Sequence, residues 1–359
     1  MSNLGQLIIT GINGLALLEE EKKFITTENI GGVILFKKNY ESPGQLAELI
    51  NTIQVLRKDF PLFIAIDHEG GRVNRLKTGF TQIPSSLDMA LLNSPKACFE
   101  VYQIMAKELK SCGINLNLAP VCDILLTDAT DSIGDRAFGR DADIVSRYVS
   151  SAIRGLQTNG IMACAKHFPG HGASTKDSHF DLPIIKTPLE TLKNRELLPF
   201  VKAIKARVDF IMMAHLMVDS LDSEFPSSLS LKTHQMLRKE LKFTKLIISD
   251  DMQMGAITDH FGAEDAAIKA IIAGTDIIEY RDFGPAVVGL EALKKAVKEK
   301  KIKADDLNRK YERINLLKAE YLKDYNPVYI PSLSKSINTS GHQQLINDLV
   351  KKINIFKKA

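Results

Sequence analysis

The sequence predicts a closed (β/α)8 barrel, and three observations support that prediction. Short apolar runs alternate with longer amphipathic stretches, which is the pattern of repeated β/α units. There are eight such runs, the number that one barrel needs. Seven of them are followed by a polar or charged residue, at the position where barrel enzymes hold their functional groups. The candidate strands span residues 6–10, 32–36, 62–66, 115–118, 161–165, 210–214, 245–248 and 276–279.

The stretches between these strands carry helix start signals. Ser42-Pro43 with Gln45 three residues after the cap predicts a helix that begins at Pro43. Thr187-Pro188 with Glu190 predicts a second capping box. Further helices are predicted over residues 85–112, 141–158, 230–241 and 262–273. The alternative fold is an open doubly wound sheet, but its GxGxxG fingerprint is not matched by Gly11-Ile12-Asn13-Gly14 after the first strand.

Composition and charge limit the classes of function. The chain has 359 residues, 45% of them hydrophobic, which is enough for a large core. The formal net charge is +4 with both signs interleaved, so no concentrated basic face indicates a nucleic-acid partner. Four cysteines lack CxxC spacing, which argues against a zinc site or a disulfide framework. No apolar run is long enough to span a bilayer and the N-terminus is a poor signal peptide, so we expect a cytoplasmic protein without an integral membrane segment.

We expect one barrel domain over residues 1–325 and a separate tail over residues 326–359. The boundary is marked by Asn326-Pro327 and by Pro331-Ser332. Apolar residues then recur at helical spacing, which predicts an amphipathic helix packed on the barrel. These residues are Leu345, Ile346, Leu349, Val350, Ile353 and Phe356.

The most informative segment is Lys166-His167-Phe168-Pro169-Gly170-His171-Gly172, which follows the fifth strand. Its proline and glycines exclude a plain helix and predict a shaped loop. Asp177-Ser178-His179 comes directly afterwards. An aspartate two residues before a histidine can accept the imidazole Nδ1–H, which leaves the other nitrogen free as a general acid and base. A locally satisfied turn histidine explains the same spacing equally well.

Other polar residues also follow predicted strands. Asp250 lies directly after the seventh strand, where a carboxylate can be a nucleophile, a general base, a metal ligand or a cap. Asp67 follows the third strand, and its carboxylate is suited to accept hydrogen bonds from sugar hydroxyls. Arg75 and Arg136 lie in Gly-containing loops and offer donors to hydroxyl or carboxylate oxygens. Surface ion pairing is the alternative for each arginine.

A metal site was also weighed. His167, His171, His179, His215 and Asp250 together have the composition of a metal-hydrolase site. However, neither an HxH nor an HExxH motif is present, and Lys166 adds positive charge where a cation would bind. We therefore expect neither a metal ion nor another cofactor.

Taken together, the motifs resemble the catalytic domain of glycoside hydrolase family 3, and most closely its short bacterial β-N-acetylhexosaminidases of the peptidoglycan-recycling type. The matching segments are Ile66-Asp67-His68-Glu69-Gly70-Gly71-Arg72-Val73, Gly134-Asp135-Arg136-Ala137-Phe138-Gly139, the loop from Lys166 to Gly172 with Asp177-Ser178-His179, and Ser249-Asp250-Asp251-Met252. The resemblance independently implies a (β/α)8 barrel.

The resemblance also implies a reaction and a set of site residues. It implies retaining hydrolysis of terminal β-linked N-acetylglucosamine, with anhydro-muropeptides from cell-wall recycling as the substrate. We expect the enzyme to be a monomer. Asp250 would be the nucleophile, and His179, held by Asp177, would be the acid/base. The residues implied to bind the sugar are Asp67, Arg75, Arg136, Lys166 and His167.

One departure and two alternatives remain. His68 stands where glutamine is more usual in the family, which predicts an altered contact behind the site. The first alternative is a phosphorylase of the same fold, because a histidine acid/base tolerates an anionic phosphate acceptor better than a carboxylate would. The second is a non-catalytic muropeptide-binding barrel, which would keep Asp67, Arg75 and Arg136 but would need neither Asp250 nor His179.

Overall fold

The computed structural model describes residues 3–57, 60–126, 132–174, 177–178 and 181–358. Within these residues, eight parallel strands close into a barrel in which each strand pairs with the next and the last pairs with the first. The predicted (β/α)8 barrel is therefore confirmed, with strand ends shifted by a few residues. The strands are β1 Ile8–Thr10, β2 Gly32–Leu35, β3 Phe63–Ile66, β4 Leu116–Asn117, β5 Met162–Phe168, β6 Phe210–Met213, β7 Leu246–Asp251 and β8 Ile277–Tyr280.

Helices surround this barrel and follow its strands along the chain. They are α1 Glu19–Glu28, α2 Pro43–Val55, α3 Ser86–Leu91, α4 Pro95–Ser111, α5 Ala142–Gln157, α6 Leu189–Asn194, α7 Leu198–Lys205, α8 Leu231–Gln235, α9 Gly255–Phe261, α10 Ala263–Ala273, α11 Phe283–Lys298, α12 Ala304–Leu322 and α13 Ser340–Phe356. Between α12 and α13 lies a short 3-10 segment, Ile330–Lys335.

The predicted helix starts have mixed outcomes. The start at Pro43 is confirmed, because the Ser42 hydroxyl accepts a hydrogen bond from the Gln45 N–H. The capping box at Thr187 is wrong: helix α6 begins at Leu189 without a side-chain cap, and the Thr187 hydroxyl donates instead to Glu196. The single helix predicted over residues 85–112 is two helices, α3 and α4, because Ser94 caps a new helix that begins at a proline.

Strand residues are buried on both faces, as expected for parallel strands enclosed by helices. The rings of Phe63 on β3 and Phe210 on β6 meet edge to face with centroids 5.5 Å apart. Since these strands are not neighbours in the barrel, their contact crosses the interior. The barrel is thus a packed core whose functional surface lies at its rim.

Two strands contain a β-bulge at their carboxyl ends. In β5, Ala165 pairs with Ile211 and Phe168 with Met213, so Lys166 and His167 together oppose one residue of β6. In β7, the register likewise shifts between Ile248 and Asp251, and the inserted stretch contains Asp250. Bulges redirect side chains beside active sites, and both of these redirect residues that the sequence singled out.

The tail packs on the outside of the barrel against α3 and α4. Buried Ile346, Leu349 and Ile353 form its inner face. The carboxylate of Glu108, on α4, accepts from the Asn338 N–H at 2.8 Å and lies 2.7 Å from Nδ1 of His342. The tail is therefore held by both apolar packing and a buried polar contact.

Among the described residues, none of the helices combines the length and the apolar character required for crossing a membrane.

Candidate active site

Four predicted site residues lie at or just beyond the carboxyl ends of the strands, on one rim of the barrel, and a fifth comes from a loop beside them. Asp67 follows β3, Lys166 and His167 lie in the β5 bulge, and Asp250 lies in the β7 bulge. Arg136 comes from the loop after β4. The fold thus brings residues from four βα segments to the same end of the barrel.

A buried ionic network forms one side of the site. The Lys166 ammonium lies 2.7 Å from Oδ1 of Asp67 and 2.7 Å from Oε1 of Glu69. Arg136 binds the same Glu69 carboxylate through two donors, Nε at 2.8 Å and Nη2 at 2.9 Å. The side chains of Lys166 and Glu69 are only 3% and 2% exposed. Such buried charges are tolerated because each one is paired.

The network keeps both of its carboxyl groups ionised. Burial acts to raise the pKa of Glu69, but Arg136 and Lys166 together hold that pKa well below its usual range. Burial likewise opposes ionisation of Asp67, and Lys166 and Arg75 lower the pKa of its carboxyl. Because the Asp67 side chain is 18% exposed, it keeps an open edge that can accept hydrogen bonds from a bound ligand.

His167 is fixed by a buried aspartate. Its Nδ1 lies 2.6 Å from Oδ2 of Asp123, and Oδ1 of the same carboxylate accepts from the N–H groups of His167 and His171. On the other side of the ring, Nη2 of Arg136 lies 3.4 Å from Nε2. Since a guanidinium only donates, Nε2 accepts and Nδ1 donates to Asp123. The imidazole is therefore locked in orientation at the base of the site.

Asp250 is, like Asp67, a partly exposed carboxylate at the rim. Its Oδ1 accepts a hydrogen bond from the Asp251 N–H at 2.9 Å. Burial acts to raise the pKa of Asp250, but the nearby His167 and His215 imidazoles, the Asp251 N–H and Lys166 lower it below its usual value. A carboxylate nucleophile must be ionised, and the lowered pKa of Asp250 meets that requirement.

His215 supports the strand end that carries Asp250. The ring is fully buried, with Nε2 3.0 Å from the carbonyl oxygen of Asp251 and Nδ1 2.7 Å from the hydroxyl of Ser228. A carbonyl only accepts, so Nε2 donates and Nδ1 accepts. Both nitrogens are thereby occupied by the protein, which removes His215 from the metal-ligand set considered above. In the described part of the chain, no three His, Cys, Asp or Glu side chains are grouped to hold a metal ion.

The loop after β5 is pinned against the barrel. A Cβ on Gly172 would lie 1.6 Å from the carbonyl oxygen of Ile124, so only glycine allows this approach. Further along, Nε2 of His171 lies 3.0 Å from the Ser178 hydroxyl. The Ser178 carbonyl accepts from the N–H of Ala256, which lies just beyond the β7 strand that carries Asp250.

The predicted acid/base, His179, lies outside the described residues, and so does its predicted contact with Asp177. The structure does bring together Asp67, Arg75, Arg136, Lys166, His167 and Asp250. Arg75 is the most loosely held of these, 3.5 Å from Oδ2 of Asp67.

Sequence reasoning missed the roles of Glu69 and Asp123. Glu69 was quoted within a motif but was given no function, although it pairs with both Lys166 and Arg136. Asp123 is one of the polar residues that follow the predicted strands, and no role was predicted for it. Its position directly after an apolar run was the available signal. His68, the departure from the family pattern, is buried with Nδ1 unpartnered among the described residues, and burial lowers its pKa to about 4.

Comparison with known proteins identifies the class as glycoside hydrolase. The family model described as the glycosyl hydrolase family 3 N-terminal domain matches residues 2–317. The chain therefore belongs to glycoside hydrolase family 3, as the motifs predicted.

Two relatives of similar sequence and one solved structure are all named as hexosaminidases or N-acetylglucosaminidases. A β-hexosaminidase of Idiomarina loihiensis is 36% identical over 325 residues, which cover 89% of this chain and 96% of that protein. A β-hexosaminidase of Nitrosomonas eutropha is 36% identical over 282 residues, covering 77% and 80% of the two chains. Among solved structures, a family 3 β-N-acetylglucosaminidase from Paenibacillus sp. str. FPU-7 superposes with a TM-score of 0.94 at 33% identity, covering 97% of this chain and 68% of that one.

Proposed function

We propose that the chain hydrolyses terminal β-linked N-acetylglucosamine with retention of configuration, through a covalent glycosyl-enzyme on Asp250. The observation that carries this proposal is the position of Asp250, a partly exposed carboxylate in the bulge at the carboxyl end of β7 with a lowered pKa. It lies near the ionic network of Lys166, which is suited to bind sugar hydroxyls. The names of the relatives supply the substrate class.

In this mechanism, Asp250 attacks the anomeric carbon while the glycosidic oxygen leaves with a proton. His179 would donate that proton and would then remove one from the incoming water, with Asp177 orienting the imidazole. The supporting contact is the hydrogen bond from Ala256 N–H to the Ser178 carbonyl, which ties the residue before His179 to the segment that follows Asp250. An imidazole in this role exchanges protons near neutral pH, so the activity optimum should lie there.

The remaining predicted residues would bind the sugar. Asp67 can accept hydroxyl protons on its open edge, and Lys166 and Arg75 keep it ionised. Arg136 and His167 would form the wall beside it, since Nη2 and Nε2 meet there at 3.4 Å. Because Glu69 and Asp123 fix these groups in advance, little ordering free energy is lost on binding.

We infer from the family resemblance that the natural substrate is a muropeptide released during cell-wall turnover, acted on by a monomer in the cytoplasm. Cleavage of an anhydro-muropeptide by the purified protein would test the substrate. Size-exclusion chromatography with light scattering would test the oligomeric state.

Trapping of the covalent intermediate tests the mechanism. A fluorinated N-acetylglucosamine analogue with a good leaving group should label the peptide that contains Asp250, as read by peptide mass. Asp250→Ala should abolish the label, whereas Asp251→Asn, the matched neighbouring change, should keep it. Turnover by the wild type with the label on another residue would remove Asp250 from its role.

Product analysis separates hydrolysis from phosphorolysis. In phosphate buffer, the hydrolase should release free N-acetylglucosamine, whereas the phosphorylase alternative would release the sugar 1-phosphate. A barrel that binds N-acetylglucosamine and releases neither product would support the non-catalytic alternative.

A further inference from the structure

Glu279 is a buried acid at the rim to which neither the mechanism nor the family resemblance gives a role. It lies in β8 in register with Asp251, and its N–H donates to the Ser249 hydroxyl at 3.0 Å. Its carbonyl accepts from the Met252 N–H, also at 3.0 Å. The backbone of Glu279 is therefore bonded to the residues on both sides of Asp250.

The Glu279 side chain has an unmet hydrogen-bonding requirement. The residue is 3% exposed, and Oε2 is shielded from solvent without a hydrogen-bond partner among the described residues. Buried polar atoms of folded proteins are nearly always paired, so each exception needs a physical explanation. A bound ligand with a polar group would supply that partner.

The surroundings determine the protonation state of Glu279. Burial raises its pKa well above the usual value, and the carboxylates of Asp67, Asp251 and Asp250 raise it further, against an opposing effect from Lys166. These surroundings favour the neutral carboxylic acid over the carboxylate. A neutral acid has one O–H donor in addition to its acceptor oxygen, unlike the acceptor-only carboxylates around it.

A purely structural role explains these features poorly. The other residues of β8, namely Ile277, Ile278 and Tyr280, belong to the hydrophobic core, and an aliphatic side chain would fill the same space. A buried acid without a partner costs folding free energy that leucine would not cost. Positions that violate such a rule are characteristic of functional sites.

We propose that Glu279 determines sugar specificity by donating a hydrogen bond from its carboxyl group to a substrate hydroxyl. The same hydroxyl would donate a hydrogen bond to Asp67. A hydroxyl group is both donor and acceptor, so an ionised and a neutral carboxyl side by side satisfy it completely. This inference rests on the proposed function, because it places a sugar ring beside Asp67 and Asp250. Glu279 is thus a contact residue of the sugar site and takes no part in the proton transfer.

Two variants and a set of deoxy sugars test the proposal. The substrates are 4-nitrophenyl N-acetyl-β-glucosaminide and its 3-deoxy, 4-deoxy and 6-deoxy derivatives. Glu279→Leu should lower kcat/KM for the parent substrate about tenfold, the effect of one lost hydrogen bond. Glu279→Leu should not lower kcat/KM for the one deoxy derivative that lacks the recognised hydroxyl. Glu279→Gln keeps a donor and should stay within about twofold of the wild type on every substrate.

The opposite pattern would overturn the proposal. An equal loss on all four substrates, or no loss on the parent, would show that Glu279 does not recognise a hydroxyl. Melting temperatures provide the structural readout, and Glu279→Leu should not lower the melting temperature, since it removes an unpaired buried acid. If the wild type releases no nitrophenol, the proposed function fails. Calorimetric binding of N-acetylglucosamine and its deoxy forms to the wild type and to Glu279→Leu then tests hydroxyl recognition without turnover.

Discussion

The carboxylate of Asp123 lies 2.6 Å from Nδ1 of His167, and their side chains are 0% and 6% exposed. The same carboxylate also accepts the backbone N–H groups of His167 and His171. One buried group thus fixes both the ring and the backbone of the loop that follows β5. This contact joins the carboxyl ends of two neighbouring strands, β4 and β5.

Loss of the Asp123 charge should destabilise the protein in a pH-dependent way. Burial opposes ionisation of Asp123, but its contacts with His167 and His171 lower its pKa below the usual value. The stabilisation is therefore present above the unfolded-state pKa of about 3.9 and is lost as the pH falls through the folded-state pKa. Asp123→Asn should cost about 3 kcal/mol at pH 7 and less at about pH 3, where the stabilisation has begun to fall. Urea unfolding at both pH values measures this, and a cost that is equal at both would contradict it.

Loss of the Glu69 charge should lower the free energy of unfolding far more than loss of an exposed glutamate that also forms a short ion pair. Glu69→Gln would leave Lys166 and Arg136 buried with an amide between them, so we expect a loss of about 3 kcal/mol in unfolding free energy. The control is Glu19→Gln, because Glu19 is 88% exposed and pairs with Lys22 at 2.6 Å. It should cost less than about 0.5 kcal/mol. Similar losses in the two variants would show that the buried network does not stabilise the fold.

Asp251 should show the reverse pH dependence. Burial raises its pKa to about 6, although the Gln253 N–H and Arg281 lower it. Because the folded-state pKa exceeds the unfolded value, stability is highest below about pH 3.9 and is lost as the pH rises towards 6. Asp251→Asn removes this cost and should stabilise the protein at pH 7 by up to about 3 kcal/mol, with no gain at pH 3.5. A gain that does not change with pH in urea unfolding would refute the assignment.

The tail should contribute stability without contributing to catalysis. Ile353 lies on the inner face of α13 and is 2% exposed, whereas Ile355 on the same helix is 68% exposed. Ile353→Ala should cost about 2–4 kcal/mol of unfolding free energy. The matched variant Ile355→Ala should cost less than about 0.5 kcal/mol. The kcat/KM of folded protein should be unchanged in both, and a selective loss of activity in Ile353→Ala would assign the tail a role in the site.

Asp250→Ala should lower the kcat for hydrolysis by at least about 10⁴-fold, because in the proposed mechanism the Asp250 carboxylate forms the covalent bond to the sugar. Added azide should restore turnover by attacking from the vacated side, and the product should be an α-glycosyl azide. A β-configured product, or a variant that keeps its activity without azide, would exclude Asp250 as the nucleophile.

The strands could be predicted because each one is an apolar run buried on both faces. The ends of β4 could not, because side chains replace part of the backbone pairing there. The amide of Asn115 accepts from the Ile64 N–H at 2.8 Å and donates to the Leu62 carbonyl at 3.0 Å. These bonds take over contacts that a longer strand would make through its backbone. Propensity does not record such replacements, since they depend on the neighbouring strand.

The site could be predicted where its polar residues directly follow the strands in the sequence. Asp67, Lys166 and Asp250 each follow an apolar run, and the barrel brings such exits to one rim. The pairing of Asp123 with His167 was not predictable, because it joins residues 44 positions apart through the strand register. The partial exposure of Asp250 beside the buried Asp251 likewise depends on the bulge in β7.

The two bulges have a consequence for transferring this site to another protein. Along a regular strand, neighbouring side chains alternate between opposite faces, so one strand end offers a single residue to the cavity. The extra residue in β5 breaks that alternation at Lys166 and His167, and the one in β7 breaks it next to Asp250. Copying the side chains onto an unbulged barrel would turn some of them outward, so a graft must carry the backbone insertions as well.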